Sequence, residues 1–237
     1  MLSGKTVAIS ATILTWAIIA QASVPIIVET GAGRRQAMTL CSEASHELIN
    51  GDIASAKQKV DRALQMDPKL WPAVFVRAEI FAHEGQYDLA IRDCNEALRQ
   101  NRFFIDAALL RARINVRLGK YAEVSKELNS LVSRRPATVI LGRVLSDRAW
   151  FQATCPDPSF RNGQQAVKDA KAACSILRWK DENTIDTLAA AYAETGDFNS
   201  AVQYASQALT IKDISPADSK RIQRHLESFQ QRKPIRL

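Results

Sequence analysis

Histidine, cysteine and glycine are the residue types whose spacing in this sequence could serve catalysis or metal binding. His83-Glu84 begins like the zinc-protease signature H-E-x-x-H, but no second histidine follows, so the metal ligands of that site are incomplete. Gly31-Ala-Gly33 lacks the third glycine of a dinucleotide-binding turn and the parallel-strand context that gives the turn its meaning. We therefore predict that the chain is not an enzyme and holds no metal and no cofactor.

A fixed spacing between small residues organises much of the chain. The interval from Gly51 to Gly85 recurs from Gly85 to Gly119, and again between the alanines Ala44, Ala78 and Ala112. Small alanines let two helices approach closely, and a glycine ends a helix in the left-handed conformation. Apolar residues three and four positions apart after each glycine indicate a second helix. The period therefore predicts a repeated helical hairpin that stacks on its neighbours.

The motif of the second hairpin resembles the tetratricopeptide-repeat (TPR) family. The matching residues are Ala78-Glu-Ile-Phe81, Gly85-Gln-Tyr87, Ala90 and Ala97-Leu98, and residues 188–209 keep the same offsets. The resemblance implies an all-α fold, a right-handed superhelical α-solenoid of helix-turn-helix repeats over residues 37–212. We expect about five repeats, of which the fourth has a long turn at residues 155–163.

Residues 213–237 are predicted to form a capping helix followed by a basic tail. Ser215 is a suitable N-cap, and Pro216 fits the first helical position. Ile222, Leu226 and Phe229 fall on one helical face, which can cover the last repeat, as solenoids require. We expect residues 232–237 to be frayed.

Residues 1–22 are typical of a secretory signal peptide. Lys5 precedes an uncharged stretch, and Ala20-Gln-Ala22 is a small-x-small cleavage site. Cleavage would leave residues 23–36 as a short leader. Alternatively, residues 7–28 remain as an uncleaved membrane anchor, since the uncharged stretch has about the length that spans a bilayer. We expect an exported protein in either case, periplasmic or otherwise extracytoplasmic.

Four cysteines, Cys41, Cys94, Cys155 and Cys174, occur without a C-x-x-C pair, which argues against a zinc ribbon or a redox motif. Export permits disulfides. We expect a disulfide between Cys155 and Cys174, because the first opens the long turn and the second ends the helix that returns beside it. Cys94 is expected to be a buried small hydrophobe. Cys41 is either free or paired between chains.

The resemblance also implies that ligands lie along the concave face, which is lined by the first helix of each repeat. Transfer by register gives nine candidate binding residues, Phe75, Glu79, His83, Asp106, Leu109, Arg113, Arg117, Arg143 and Trp150. The apolar members could anchor a partner, and the arginines could bind carboxylates. In the alternative interpretation, Leu109 and Trp150 belong to the core between repeats and the arginines are solvated.

Composition is that of an ordinary folded protein, with 46% hydrophobic and 24% charged residues and a net charge of +7. We predict a non-catalytic protein–protein interaction scaffold outside the cytoplasm, whose partner carries acidic peptide segments. One alternative is an electrostatic adaptor for an anionic envelope polymer or lipid surface. A second is a non-catalytic subunit of an envelope enzyme complex. Nucleic acid is not an expected partner, because export separates the chain from it, and membrane contact is expected only if residues 7–28 remain.

Overall fold

The structure is a computed structural model, and it describes residues 32–237. The predicted signal peptide, residues 1–22, and the alternative anchor, residues 7–28, lie outside the described residues. Within the described range the chain forms eleven α-helices, one short 3-10 helix at Pro158–Phe160 and no strand, which confirms the all-α prediction. The helices are α1 (Ala32–Ile49), α2 (Ile53–Met66), α3 (Trp71–His83), α4 (Tyr87–Gln100), α5 (Ile105–Arg117), α6 (Tyr121–Ser133), α7 (Thr138–Thr154), α8 (Gly163–Ile176), α9 (Glu182–Glu194), α10 (Phe198–Ala208) and α11 (Pro216–Gln230).

The helices follow one another as hairpins. Helix α1 packs on α2, α3 on α4, α7 on α8, and α9 on α10. The connections after α1, α3, α5 and α9 are short and equal in length, whereas the one after α7 runs over residues 155–162. Short connections of this kind join antiparallel helices. The repeated unit is therefore the helical hairpin that the sequence period predicts.

Each of the short connections contains a glycine with a left-handed backbone. At Gly85 φ is 76°, a conformation that costs other residues energy. The next amide, Gln86 N, donates to the carbonyl of Phe81 at 2.8 Å, which satisfies a carbonyl at the open end of α3. The recurring glycines are thus helix terminators.

Contacts divide the chain into two compact units, the first ending at Ile114 and the second running over Asn115–Leu237. The first unit has one buried cluster around Cys41 and Val60 and another around Cys94 and Phe104. The second unit has a buried cluster that includes Leu188 and Phe229. Each unit therefore has its own apolar core.

Helix α1 begins at Ala32, before residue 37, where the repeat domain is predicted to begin. The end of the predicted leader, residues 23–36, is therefore helical. Arg34, Arg35 and Gln36 favour a helix, and no stop signal separates them from Ala37.

Helix α11 covers one side of the core of the second unit. The hydroxyl of Ser215 caps it by accepting a 3.0 Å hydrogen bond from the Asp218 amide, and Ile222 and Phe229 are fully buried. The expectation that residues 232–237 are frayed is wrong. The Leu237 amide donates to the Thr154 carbonyl at 3.0 Å, so this segment returns to the end of α7.

Candidate functional site

In the first unit, two of the predicted binding residues belong to the core. Phe75 is 5% exposed and packs edge-to-face on Phe104, with ring centroids 4.7 Å apart. Leu109 is 1% exposed. Both predictions are corrected, because side chains buried to this extent present no surface to a partner. For Leu109 the structure supports the alternative interpretation.

The other candidates of the first unit differ in exposure. His83, in the last turn of α3, and Arg113, on α5, are exposed, and Asp106 is half-buried. Glu79 is 8% exposed and lies close enough to Cys41 that its negative charge contributes to a raised thiol pKa. A partner can therefore reach His83 and Arg113 directly.

In the second unit the candidates are Arg117, Arg143 and Trp150. Arg117 is exposed, whereas Arg143 is half-buried. Trp150 is half-buried against the apolar core, and its ring centroid lies 5.7 Å from that of His225 on α11. Helix α11 therefore covers part of the surface that Trp150 was expected to offer.

Two arginines outside the predicted set form buried ion pairs between the helices of a hairpin. Arg77 on α3 binds Asp93 on α4 in bidentate fashion, with N–O distances of 2.7 and 2.9 Å. Arg148 on α7 binds Asp169 on α8 with the same distances. These arginines are structural, and a bidentate guanidinium–carboxylate pair fixes orientation as well as distance.

The sequence carries a signal for the Arg77–Asp93 pair that the prediction of binding residues did not use. In the first hairpin the equivalent positions hold Glu43 and Lys59, whose charged atoms lie 3.3 Å apart with the charges exchanged. The third hairpin has Arg111 and Glu127 at the same register, one full repeat after Arg77 and Asp93. Opposite charges at a fixed register across repeats indicate ion pairing rather than solvation.

A further, partly buried carboxylate, that of Glu194 at the end of α9, lies between two arginines. Its side chain is 14% exposed. One oxygen accepts a 2.9 Å hydrogen bond from Nε of Arg161 in the long connection. The other lies 2.6 Å from Nη2 of Arg236 but has no well-aligned hydrogen bond. Glu194 thus joins the long connection to the segment after α11.

All four cysteines are free and buried thiols, so the predicted Cys155–Cys174 disulfide is not formed. Cys174 points toward α9, since its Sγ donates to the Thr184 carbonyl at 3.6 Å. Burial raises the pKa of Cys174 to about 12, with a further contribution from Asp181. Burial also raises the pKa of Cys41 to about 12, and Cys94 is fully buried as expected. These thiols are packing residues.

Metal binding and membrane crossing have no structural support among residues 32–237. No cluster of three or more His, Cys, Asp or Glu in this range is arranged to hold a metal ion. No helix in the same range combines the length and the apolar character needed to cross a bilayer.

Comparison with known proteins finds tetratricopeptide repeats. Residues 185–214, which cover most of α9, all of α10 and the residues that follow, match the family model of the tetratricopeptide repeat. A tetratricopeptide repeat and J domain-containing co-chaperone of Cryptococcus neoformans is 27% identical over 96 residues. That match covers 40% of this chain and 18% of the relative, so the chain spans less than a fifth of the relative's length.

Two solved bacterial structures have the same fold. A thermophilic TPR protein of Thermus thermophilus superposes with a TM-score of 0.68 at 14% identity, covering 81% of this chain and 99% of that one. The pilF protein of Pseudomonas aeruginosa superposes with a TM-score of 0.63 at 15% identity, covering 84% and 91%. At identities this low, the superpositions establish similarity of fold and nothing further.

Proposed function

We propose that this chain, which has the TPR fold and matches the TPR family model over residues 185–214, is a non-catalytic scaffold that acts outside the cytoplasm and binds a partner protein. The TPR fold is that of protein–protein interaction scaffolds. Partner binding is assigned to exposed basic side chains on the first helices of the repeats. The signal-like segment, residues 1–22, supports the extracytoplasmic setting.

The observation that carries this proposal is the repeated exposure of basic side chains at one register. His83 ends α3 and Arg117 ends α5 at the equivalent position of the next repeat, and both are exposed. Arg113 lies one turn before Arg117 on α5 and is also exposed. Exposed guanidinium groups bind carboxylates in bidentate fashion, so each exposed arginine of α5 suits an acidic side chain of a partner protein.

The electrostatic adaptor is the weaker candidate, because part of the basic charge near α11 is neutralised within the chain. Arg221 pairs with Asp218 at 2.7 Å, and Arg236 pairs with Glu194. Lys220 and Arg224 are exposed on α11 and remain the residues through which an anionic surface would bind. Binding through exposed charges of this kind is screened by salt.

The test is capture of cross-linked partners from envelope fractions of the source cells, at low and at high salt. The intact chain is compared with an Arg113→Glu/Arg117→Glu variant. We expect a defined protein that the intact chain retains and that is lost with this variant. Retention of only anionic polymer or lipid, washed off by salt, would support the adaptor instead.

A matched control reverses two charges on the second helices of the second and third hairpins, α4 and α6. Arg92 on α4 and Lys126 on α6 are exposed and occupy equivalent positions of successive repeats. Arg92→Glu/Lys126→Glu therefore changes net charge equally but leaves the first helices intact. Equal loss of the partner from both double variants would contradict the assignment to the first helices.

The extracytoplasmic setting is tested separately by mass spectrometry of the chain recovered from its source. Cleavage after Ala22 produces a form that begins at Ser23. An uncleaved chain in the membrane fraction would indicate the anchor, and an uncleaved chain in the cytoplasm would contradict export.

A further inference from the structure

The segment after α11 lies against the ends of two first helices of the second unit. Arg232 has a left-handed backbone, with φ of 56°, at the turn that follows α11. Beyond this turn, Ile235 packs against the apolar core. Arg236 donates through Nη1 to the Ala153 carbonyl at 3.2 Å, and Leu237 donates through its amide to Thr154. The segment is therefore bound in an extended form without helical structure of its own.

The groups that bind Arg236 and the Leu237 amide are all hydrogen-bond acceptors. The Ala153 and Thr154 carbonyls lie in the last turn of α7, where carbonyls have no partner within the helix and carry the negative end of its dipole. Glu194, in the last turn of α9, adds a partly buried carboxylate. A guanidinium is planar, always charged and carries five N–H donors, so it matches such a set of acceptors.

Arg161, in the long connection, holds the Glu194 carboxylate in position. Its Nε hydrogen-bonds one oxygen of Glu194, and its Nη1 donates to the Cys155 and Pro156 carbonyls at 2.9 and 3.0 Å. The carboxylate is thereby held in place by the long connection independently of Arg236. Its second oxygen, without a well-aligned hydrogen bond, stays directed to the segment's guanidinium.

We propose that the ends of α7 and α9 form a binding site for an extended, arginine-containing peptide segment of a partner protein, and that residues 232–237 occupy it as an internal competitor. The site is distinct from the exposed basic side chains of α3 and α5, which accept acidic segments. Peptide binding at the ends of α7 and α9 goes beyond the proposed function, and it requires neither those basic residues nor export. Charge complementarity selects the occupant, because Glu194 and the helix-end carbonyls favour a cation.

The bound segment is suited to displacement. The side chain of Arg236 is 35% exposed and Leu237 is 49% exposed, so much of the segment stays in contact with water. Its attachment is polar apart from Ile235 and the Arg232 guanidinium, which lies over the Phe198 ring. Weakly buried segments detach at low free-energy cost. An external peptide that supplies the same arginine contacts can therefore replace it.

The experiment measures binding of a labelled peptide with the sequence of residues 231–237 by fluorescence anisotropy. It is titrated into the intact chain and into a chain that lacks residues 232–237. We expect the shortened chain to bind at least about tenfold more tightly, because one hydrogen bond to a charged group contributes at least the about 1.4 kcal/mol that corresponds to a tenfold change. A peptide with Arg236→Glu should bind the shortened chain at least about tenfold more weakly.

Three variants keep the test independent of folding. Arg236→Gln in the intact chain weakens the internal segment without altering Glu194, and should increase peptide affinity toward that of the shortened chain. Lys233→Gln is the matched control, since Lys233 is exposed in the same segment and contacts only its neighbours Gln231 and Ser228. Glu194→Gln in the shortened chain should abolish the gain.

The proposal is overturned if the intact and shortened chains bind the peptide equally while circular dichroism shows both to be folded. It is also overturned if the Arg236→Glu peptide binds as well as the native one. Dimers of the intact chain in light scattering that disappear on shortening would show that a second copy supplies the segment, which contradicts internal occupancy. None of these outcomes alters the partner-capture result, so the two proposals fail separately.

Discussion

The second hairpin, α3–α4, and the fourth, α7–α8, hold the same ion pair across connections of different length. Arg77 and Asp93 are 16 residues apart, whereas Arg148 and Asp169 are 21 apart. Both pairs are bidentate with equal distances. The facing side chains therefore set the register of the hairpin, and the length of the connection does not.

The extra residues of the fourth connection serve a different purpose. They form the 3-10 helix Pro158–Phe160 and supply Arg161, which holds Glu194 of the next hairpin. The connection of the second hairpin only reverses the chain around Gly85. A hairpin core that stays the same thus permits a longer connection, which contributes Arg161 to the proposed peptide site.

The two ion pairs also differ in burial. Substitution of their carboxylates is expected to have the largest effect on the free energy of unfolding. Arg148 is 15% exposed and Arg77 is 35% exposed. Removing one partner of a buried pair leaves an uncompensated charge, which costs about 3–5 kcal/mol. We expect Asp169→Ala to lower the free energy of unfolding by about 3 kcal/mol and Asp93→Ala by about 2 kcal/mol, because water solvates Arg77 better. Urea denaturation followed by circular dichroism measures both.

Gln203→Ala provides the baseline for this comparison, since Gln203 is exposed on α10. It should change the free energy of unfolding by less than about 0.5 kcal/mol. If Asp93→Ala cost as much as Asp169→Ala, burial of the arginine would not determine the strength of the pair.

Substitution of a glycine in each hairpin is expected to have the next largest effect on the free energy of unfolding. Gly163 and Gly85 are required for different reasons. A Cβ at Gly163, the first residue of α8, would lie 2.9 Å from Cγ2 and 3.2 Å from the backbone nitrogen of Thr195. A Cβ at Gly85 would meet no atom within 4 Å, so only the left-handed backbone opposes it. We expect Gly163→Ala to cost about 2 kcal/mol by overpacking and Gly85→Ala about 1 kcal/mol by strain, both measured by urea denaturation.

Asparagine separates these two causes, since it tolerates the left-handed conformation better than alanine does. Gly85→Asn should recover part of the stability lost in Gly85→Ala. Gly163→Asn should be at least as destabilising as Gly163→Ala, because its side chain is larger. Recovery at Gly163 would show that backbone conformation, rather than the contact with Thr195, requires the glycine.

Local patterns in the sequence were sufficient to predict the hairpins and the capping helix. The period of Gly51, Gly85 and Gly119 places the turns, and Ser215-Pro216 places the start of α11. These signals act within a few residues, through backbone conformation and capping. That is why they can be read without knowing which helices pack together.

The candidate site was less predictable, because burial depends on neighbours distant in the sequence. Phe75 and Leu109 have the register of groove residues, but Phe104 packs on Phe75 and both side chains are buried. The contact between Arg236 and Glu194 joins distant parts of the chain and follows no repeated spacing. The Arg77–Asp93 pair could have been predicted from the recurring opposite charges, but the Arg148–Asp169 pair lies off that register.

Removal of an exposed ion pair in the second hairpin is expected to have the smallest effect on the free energy of unfolding. Nη2 of Arg99 lies 2.7 Å from Oε1 of Glu96, both on α4. The hydrogen bond from Arg99, with a second from Gln100, lowers the pKa of Glu96 to about 2. A lowered carboxylate pKa stabilises the fold above the unfolded pKa, and the contribution is lost as pH falls toward the folded pKa. Water solvates both partners, so this contribution is small.

Arg99→Ala should therefore change the pKa of Glu96 without changing the stability of the fold. Titration followed by carboxyl NMR should show the pKa of Glu96 rising toward its ordinary value, while the urea midpoint at neutral pH stays unchanged within error. Asp93→Ala, on the same helix, should lower that midpoint clearly. If both variants lowered it equally, exposed and buried pairs would contribute alike, and the register of the hairpin could not be assigned to the buried Arg77–Asp93 pair alone.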